Sequence, residues 1–267
     1  MSRGTAEALE IFAWNPRRPV VPGRLGRLVP VRRRVNNFGD LLGPAIVSKV
    51  REVLGVTGQA AHAGQLLSVG SVLHFARPGA VVWGSGVNGK VAPSDQLGAT
   101  DLDVRAVRGP RTREVLLSKG VPCPAIFGDP GILVSELFPE LRTLEPAHRV
   151  TVVPNLHDWR HVPRRAGFNY LNPTRPLGEC LRTIAASEVV VGSSLHGIVV
   201  AESLGKPASL LRPGKEDLFK YDDYYRGTGR EQFDVFDDPR DAAKHPQPSP
   251  VIDKDELLRA FPVDLWR

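Results

Sequence analysis

EVVVGSSLHGIVVAESLG, residues 188–205, joins an apolar strand pattern to a helical pattern through Gly192 and two serines. Three consecutive valines before the glycine indicate a short buried strand, and the residues after Ser194 have the composition of a buried helix. A strand that leads directly into a helix is the repeating unit of a parallel sheet. The segment therefore predicts an α/β fold.

The same alternation is found on the N-terminal side of this segment. Strands are predicted within residues 8–14, 65–76, 80–86 and 103–109, and helices within 41–54 and 110–119. Asp40 is the predicted N-cap of the first of these helices. Between the first strand and Val35 the sequence is rich in Pro, Gly and Arg, which indicates a long loop.

A second set of elements begins near Glu145. Strands are predicted within residues 148–159, 188–192 and 207–212, helices within 176–187, 193–205 and 253–261, and a long polar loop over 213–231. Two successive sets of strands and helices favour two Rossmann-like domains, residues 1–145 and 146–267. We expect these domains to face a cleft near the carboxyl ends of their strands.

The composition excludes several classes of protein. With 267 residues, 42% of them hydrophobic and 24% charged, the chain is long and apolar enough to form a core, so a disordered or fibrous protein is excluded. Its two cysteines, Cys123 and Cys180, cannot form a disulfide framework or a four-ligand zinc site. No metal site is predicted. Without an apolar run of about 18–20 residues or a signal-peptide pattern, we expect a cytoplasmic protein.

Positive charge is concentrated at the N-terminus. The net charge of the chain is +6, and residues 1–34 alone contain eight arginines against Glu7 and Glu10. One interpretation is a solvated arginine-rich loop. The alternative is a segment that binds anionic lipid or a lipid-linked substrate. A nucleic-acid partner is not expected, because interleaved aromatic residues and a recognisable binding module are lacking.

Ser193, Ser194 and His196 form the first candidate site. The start of a helix offers unpaired backbone N–H groups and a positive dipole end, which suit phosphate or carboxylate. A serine here can cap the helix and also contact such an anion. A neutral histidine in the first turn is suited to general acid–base catalysis. The alternative is an ordinary N-cap followed by a surface histidine.

Asn37, Gly39 and Asp40 precede the first long helix and form a second candidate site. Asparagine amides and a glycine turn at a helix start can hold a substrate. The alternative interpretation is a capped turn with no ligand.

Further charged residues follow predicted strands. Arg108, Arg111 and Arg113 can bind a phosphate or carboxylate through bidentate hydrogen bonds. The alternative is that most of these arginines lie on a solvent-exposed face at the start of a helix. Asp129 lies in a Gly-Asp-Pro-Gly turn, where it can cap a helix or orient a base. His157 lies just beyond a strand of the second half and is a candidate cleft residue.

Seven segments together resemble the polysaccharide pyruvyl transferase family, and in particular the bacterial exopolysaccharide ketal-pyruvate transferases. In chain order these segments are NNFGDLLGPAI (36–46), VVWGSGV (81–87), VRGPRTREVL (107–116), FGDPGIL (127–133), VVPNLHD (152–158), VVVGSSLHGIVVAESLGKP (189–207) and DDYYRGTGR (222–230). They extend over most of the chain.

The resemblance implies a glycosyltransferase-B-like pair of Rossmann domains. It also implies phosphoenolpyruvate as donor substrate, no cofactor, and transfer of pyruvate to a pair of sugar hydroxyls as a cyclic ketal. The implied acceptor is an exopolysaccharide repeat unit on a lipid carrier. Such an enzyme would be cytoplasmic, with peripheral contact to the anionic inner face of the plasma membrane.

The resemblance also assigns roles to individual residues. His196 matches the family's helix-start histidine and is expected to transfer one proton, with His157 or an aspartate (Asp40 or Asp129) transferring another. Some relatives have arginine two positions before that histidine, where this chain has Ser194. The cationic ligands of the donor are therefore expected among Arg108, Arg111 and Arg113. Arg230, in the last matching segment, is a further expected substrate ligand.

Two other function classes are compatible with the sequence. A glycosyltransferase that uses a nucleotide sugar has the same implied fold. A non-catalytic protein could bind anionic surfaces through its N-terminal arginines.

Overall fold

The computed structural model describes residues 8–19, 31–92 and 95–267. The elements of the first half are β1 (Leu9–Ile11), β2 (Arg17–Pro19), β3 (Arg32–Arg34), α1 (Phe38–Val53), β4 (Gly64–Leu67), β5 (Ala80–Trp83), β6 (Leu102–Ala106) and α2 (Pro110–Ser118). A 3-10 turn at Pro130–Leu133 leads into α3 (Val134–Leu137).

The second half follows a further 3-10 turn at Pro139–Thr143. Its elements are β7 (His148–Val152), β8 (Asn169–Tyr170), α4 (Leu177–Ala185), β9 (Ser187–Gly192), α5 (Leu195–Ser203), β10 (Ala208–Leu211), α6 (Phe219–Gly227), β11 (Val235–Phe236), α7 (Pro239–Lys244) and α8 (Lys254–Arg259). No helix in the described ranges is long and apolar enough to cross a membrane.

The strands form two parallel sheets. The first has the order β1-β4-β5-β6 and the second the order β11-β10-β9-β7-β8. In the part of the chain that the structure describes, strands β2 and β3 pair only with each other, as an antiparallel ribbon. The predicted α/β class with parallel strands is confirmed.

Two local predictions need correction. Residues 213–231 were expected to form a loop, but they contain α6, in which Tyr221, Tyr224 and Tyr225 are fully buried at helical spacing. The tyrosine hydroxyls and the charged residues make this segment polar on average, so its sequence does not show the apolar periodicity of a helix. Helix α1 begins at Phe38 with Asn37 as N-cap, so Asp40 lies in its first turn instead of capping it. Phe38 is fully buried as part of the helix, so the helix starts about one turn earlier in the chain than predicted.

One hydrophobic core includes residues from both halves. Helix α1 packs on α3, α4 and α5, so that Leu42 and Ile46 share a buried cluster with Leu181 and Ile198. The C-terminal segment returns to the first sheet: the Trp83 indole donates a hydrogen bond of 2.8 Å to the carbonyl of Leu257. The two sheets are therefore connected by packing as well as by the chain between them.

A buried ion pair joins the end of β6 to α6. The Arg108 Nε donates to Asp223 at 2.9 Å, and both side chains are fully buried. Asp223 also accepts hydrogen bonds from the amide of Thr112 at 2.9 Å and its hydroxyl at 2.6 Å. The backbones approach so closely that a Cβ on Gly109 would lie 1.8 Å from the carbonyl oxygen of Asp223. The pair and the glycine together fix α6 against the first half.

We expect Asp223→Ala to lower the free energy of unfolding by about 3–5 kcal/mol, because it leaves the Arg108 charge buried without a partner. The matched control is Asp222→Ala: Asp222 is the neighbouring residue and pairs with Arg226 in a partly exposed position. This control is expected to cost less than about 1 kcal/mol. Urea unfolding measures both variants, and equal losses would contradict this role of the buried pair.

Candidate active site

A cleft of about 290 Å³ lies between the two halves. The starts of α1 and α5 line it, together with the segment that leads into α6. The loops after β4, β5 and β7 complete it, so the carboxyl ends of strands from both sheets contribute. Its polar lining residues are Asn37, Asp40, Ser71, His74, Asn88, Lys90, Asn155, His157, Ser194, Glu216, His196 and Lys220, and Trp14 adds an aromatic wall.

The starts of α1 and α5 meet at Gly39 and His196. A Cβ placed on Gly39 would lie 2.4 Å from Nδ1 of His196, so no side chain fits between this turn and the imidazole ring. Gly39 therefore supports the histidine and does not itself line the cleft. The contact brings two helix N-termini, each the positive end of a helix dipole, to the same cavity.

Helix α5 leaves two amides at this cavity. Ser194 is its N-cap, and the Ser194 hydroxyl accepts a hydrogen bond from the amide of Gly197 at 3.3 Å. The amide of Ser194 donates to the carbonyl of Val153 at 3.1 Å. Of the four amides that a helix start leaves unpaired, those of Leu195 and His196 have no partner among the residues that the structure describes. They form a suitable anion-binding pair.

His196 lies against a buried carboxylate. Its Nε2 is 3.5 Å from Oδ2 of Asp129, and Asp129 is fully buried. The other oxygen of Asp129 accepts from the amide of Gly131 at 2.9 Å. Neither Nε2 of His196 nor Oδ2 of Asp129 has a hydrogen-bond partner among the described residues. A carboxylate in this position can orient the ring.

Asp40 is a second acid at the cavity. It accepts a hydrogen bond of 2.7 Å from the side-chain amide of Asn37. Burial raises the pKa of the Asp40 carboxyl, and the hydrogen bond from Asn37 and the charges of His196 and Lys220 offset part of this rise. A carboxyl group with a raised pKa is better suited to accept and return a proton near neutral pH.

The cleft also contains an ionic cluster of Glu216, Lys220 and Lys90 that the sequence patterns did not indicate. Glu216 pairs with the partly buried Lys220 at 2.9 Å and, through its other oxygen, with Lys90 from the first half. His157 lies 3.9 Å from Glu216. The only signal in the sequence was the spacing of Glu216 and Lys220 by four residues, which is common on helices.

The charges in this cluster shift one another's ionisation. Burial would raise the pKa of Glu216, but Lys220 and Lys90 outweigh it and hold that pKa below its ordinary value. Burial lowers the pKa of Lys220, although Glu216 opposes the change. Burial also lowers the pKa of His157, and Lys90 adds to that effect. His157 is therefore neutral near pH 7 and able to accept a proton.

Ser193 lies behind the cleft. Its hydroxyl donates to Asp158 at 2.6 Å and accepts from the amide of Asn155 at 3.2 Å. It lines a neighbouring cavity of about 210 Å³ instead of the cleft. Ser193 thus fixes the loop that carries Asn155 and His157.

The four arginines predicted as ligands are engaged elsewhere, and none is among the cleft-lining residues described. The Arg108 guanidinium is held by Asp223, Ser71 and the carbonyl of Val87. Arg111 lies 3.3 Å from Asp222, and Arg113 donates to the carbonyl of Cys123 at 3.0 Å. Arg230 forms a buried bidentate pair with Glu202 at 2.6 and 2.9 Å. Their geometry is that of structural ion pairs and hydrogen bonds.

Comparisons with known proteins identify a family and a relative that this chain resembles. Residues 37–213 match the family of polysaccharide pyruvyl transferases. The succinoglycan biosynthesis protein ExoV of Rhizobium meliloti (strain 1021) is 29% identical over 207 residues, which are 72% of this chain and 62% of that protein. This chain thus spans less than two thirds of the length of that relative.

A solved structure resembles the fold. An uncharacterised protein from Klebsiella pneumoniae superposes with a TM-score of 0.51 at 11% identity, over 76% of this chain and 89% of that one. At this level of identity the match concerns the fold alone.

We expect Asp40→Asn to raise the free energy of unfolding near neutral pH. Because burial raises the pKa of Asp40 in the folded protein, ionisation costs more there than in the unfolded chain. The gain should therefore be absent below about pH 4, grow as the pH rises from there to the raised pKa, and stay constant at higher pH. Urea unfolding across this range measures it, with the exposed Asp101→Asn as control. A gain independent of pH would contradict the shift.

Proposed function

Because this chain belongs to the polysaccharide pyruvyl transferase family, we propose that it transfers pyruvate from phosphoenolpyruvate to two hydroxyls of one sugar, forming a cyclic ketal. The acceptor is an exopolysaccharide repeat unit on a lipid carrier. The observation that carries the proposal is the position of His196, which lies against Asp129 at a helix start in the cleft and within the matched region.

The cleft suits the charges of the donor. Phosphoenolpyruvate carries a phosphate and a carboxylate, and the amides of Leu195 and His196 offer one anion site. We assign the cationic ligands to Lys90 and Lys220, which line the cleft, instead of Arg108, Arg111 and Arg113. These lysines take the place of the arginine that some relatives have at the position of Ser194.

The reaction needs proton transfer at two places. A proton is added to the methylene carbon of the donor, which becomes a methyl group and leaves C2 electron-deficient. One sugar hydroxyl attacks C2, the C–O bond to phosphate breaks, and the second hydroxyl closes the ketal. Of the two hydroxyl protons released, one replaces the proton given to carbon and the other leaves with the phosphate.

The side chains divide this work. His196, oriented by Asp129, gives the proton to carbon, and Asp40 or the neutral His157 accepts a proton from an attacking hydroxyl. No metal or cofactor has a step in this scheme.

The architecture and location belong to the same proposal. Two parallel sheets with a cleft between them are compatible with a pair of Rossmann-like domains of the glycosyltransferase-B type, divided near residues 145–146. We place the enzyme in the cytoplasm, at the inner face of the plasma membrane, since a lipid-linked repeat unit is available there.

Incubation with phosphoenolpyruvate and candidate oligosaccharides tests the activity directly. The acceptor should gain the mass of pyruvic acid less one water, with one phosphate released per transfer. The contrary result is that phosphoenolpyruvate does not react and that a sugar nucleotide instead donates its sugar and releases the nucleotide. That result would identify a glycosyltransferase.

His196→Gln is expected to lower kcat by a factor of roughly 10²–10⁴, because it removes a positioned acid–base group. The thermal midpoint should change little. His62→Gln, which changes an exposed histidine, is the control. Activity close to that of the wild type would remove His196 from the mechanism, and a matching loss of stability would indicate a structural role.

Lys220→Met is expected to raise the KM for phosphoenolpyruvate by about tenfold or more, since a desolvated cationic ligand is lost. Glu216→Gln should lower that KM, because it removes a carboxylate that repels the donor and competes for both lysines. Initial rates at saturating acceptor measure both, with the exposed Lys244→Met as control. An unchanged KM in Lys220→Met and Lys90→Met would contradict the assignment.

A further inference from the structure

Strands β2 and β3 form a ribbon that presents five exposed arginines, Arg17, Arg18, Arg32, Arg33 and Arg34. Arg17 lies directly opposite Arg34, and Arg18 opposite Arg33. Within the described residues, none of the five pairs with a carboxylate; Arg34 donates only to the carbonyl of Asn15 at 3.3 Å. We call this feature the arginine ribbon.

Such an arrangement is electrostatically unfavourable by itself. Like charges directly opposite each other on paired strands repel, and an isolated two-stranded ribbon is of marginal stability in water. A bound oligoanion removes the repulsion and connects the strands through bidentate guanidinium contacts. Phosphate groups match that geometry well.

The ribbon is fixed at the mouth of the cleft. Asn15 and Asn36 exchange two hydrogen bonds of 2.9 Å at its base, immediately before the cleft residue Asn37. The guanidinium of Arg18 lies 5.6 Å from the ring centre of Trp14, which lines the cleft. A molecule that extends out of the cleft past Trp14 therefore meets the arginines.

We propose that the arginine ribbon binds phosphate groups borne by the acceptor, of the pyrophosphate type, while the attached sugar occupies the cleft. This inference rests on the proposed function, because it takes the acceptor to be the molecule that extends from the cleft. The ribbon then selects acceptors that still carry their phosphates over free oligosaccharides.

The binding test uses inorganic pyrophosphate as probe, by calorimetry with the donor site saturated with phosphoenolpyruvate. The variant combines Arg17→Gln, Arg33→Gln and Arg34→Gln. The control combines Arg142→Gln, Arg149→Gln and Arg240→Gln, which removes the same charge from other exposed positions. The dissociation constant should rise by about tenfold or more in the ribbon variant only. Equal binding in both variants would overturn the proposal.

Kinetic measurements distinguish failure of the ribbon assignment from failure of the proposed function. In the ribbon variant, the KM for a sugar pyrophosphate acceptor should rise, while the KM for the same acceptor without phosphate and for phosphoenolpyruvate stay unchanged. Transfer by both proteins with identical KM values would overturn the ribbon assignment alone. If pyrophosphate binding depends on the ribbon but neither protein uses phosphoenolpyruvate, the proposed function fails and the binding site stands.

Vesicle sedimentation identifies whether the phosphate comes from the acceptor or from lipid headgroups. Vesicles of phosphatidylcholine, with and without phosphatidylglycerol, are sedimented with wild type and ribbon variant. Equal sedimentation of both proteins supports an acceptor-borne phosphate. Loss of binding to the phosphatidylglycerol vesicles, with unchanged pyrophosphate affinity, would make the ribbon a contact for lipid headgroups and overturn the proposal.

Discussion

The close approach of α1 to α5 is the constraint on which the rest of the site depends. Because Gly39 has no side chain, the His196 ring occupies the space between the two helix starts, with Nδ1 only 2.4 Å from the position a Cβ would take. This contact directs two positive helix ends toward one cavity, sets His196 against the buried Asp129, and brings Asp40 close to the same ring. Acid, base and anion site thus arise from one packing contact.

Buried charge has two different uses in this protein. The pair of Arg108 and Asp223 is fully buried and fully hydrogen-bonded, and it holds α6 against the first half. By holding α6, it also positions Lys220 at the cleft. Lys220 and Glu216 remain at the cavity surface, where a charged ligand can exchange with the carboxylate. Arg108 and Arg230 thus have structural roles, and the cations that line the cleft are Lys90 and Lys220.

Sequence patterns predicted much of the fold and part of the site. Strand and helix periodicity was sufficient for the parallel α/β class, and helix-start chemistry singled out Asn37, Asp40, Ser194 and His196, which the structure brings into one cleft. Local patterns could not reveal α6, because its buried residues are three tyrosines and an aspartate, Asp223, instead of aliphatic side chains. Nor could they separate structural from accessible cations: whether an arginine meets Asp223 or solvent depends on residues more than a hundred positions away.

The role of His196 is tested most directly by running the reaction in deuterated water and analysing the product by mass spectrometry and NMR. If His196 delivers a solvent-derived proton to the donor carbon, the ketal methyl group should carry one deuterium per transferred pyruvate, with one phosphate released. His196→Gln should lose both signals together. Transfer of pyruvate without solvent deuterium, or full deuterium incorporation by His196→Gln, would contradict the account.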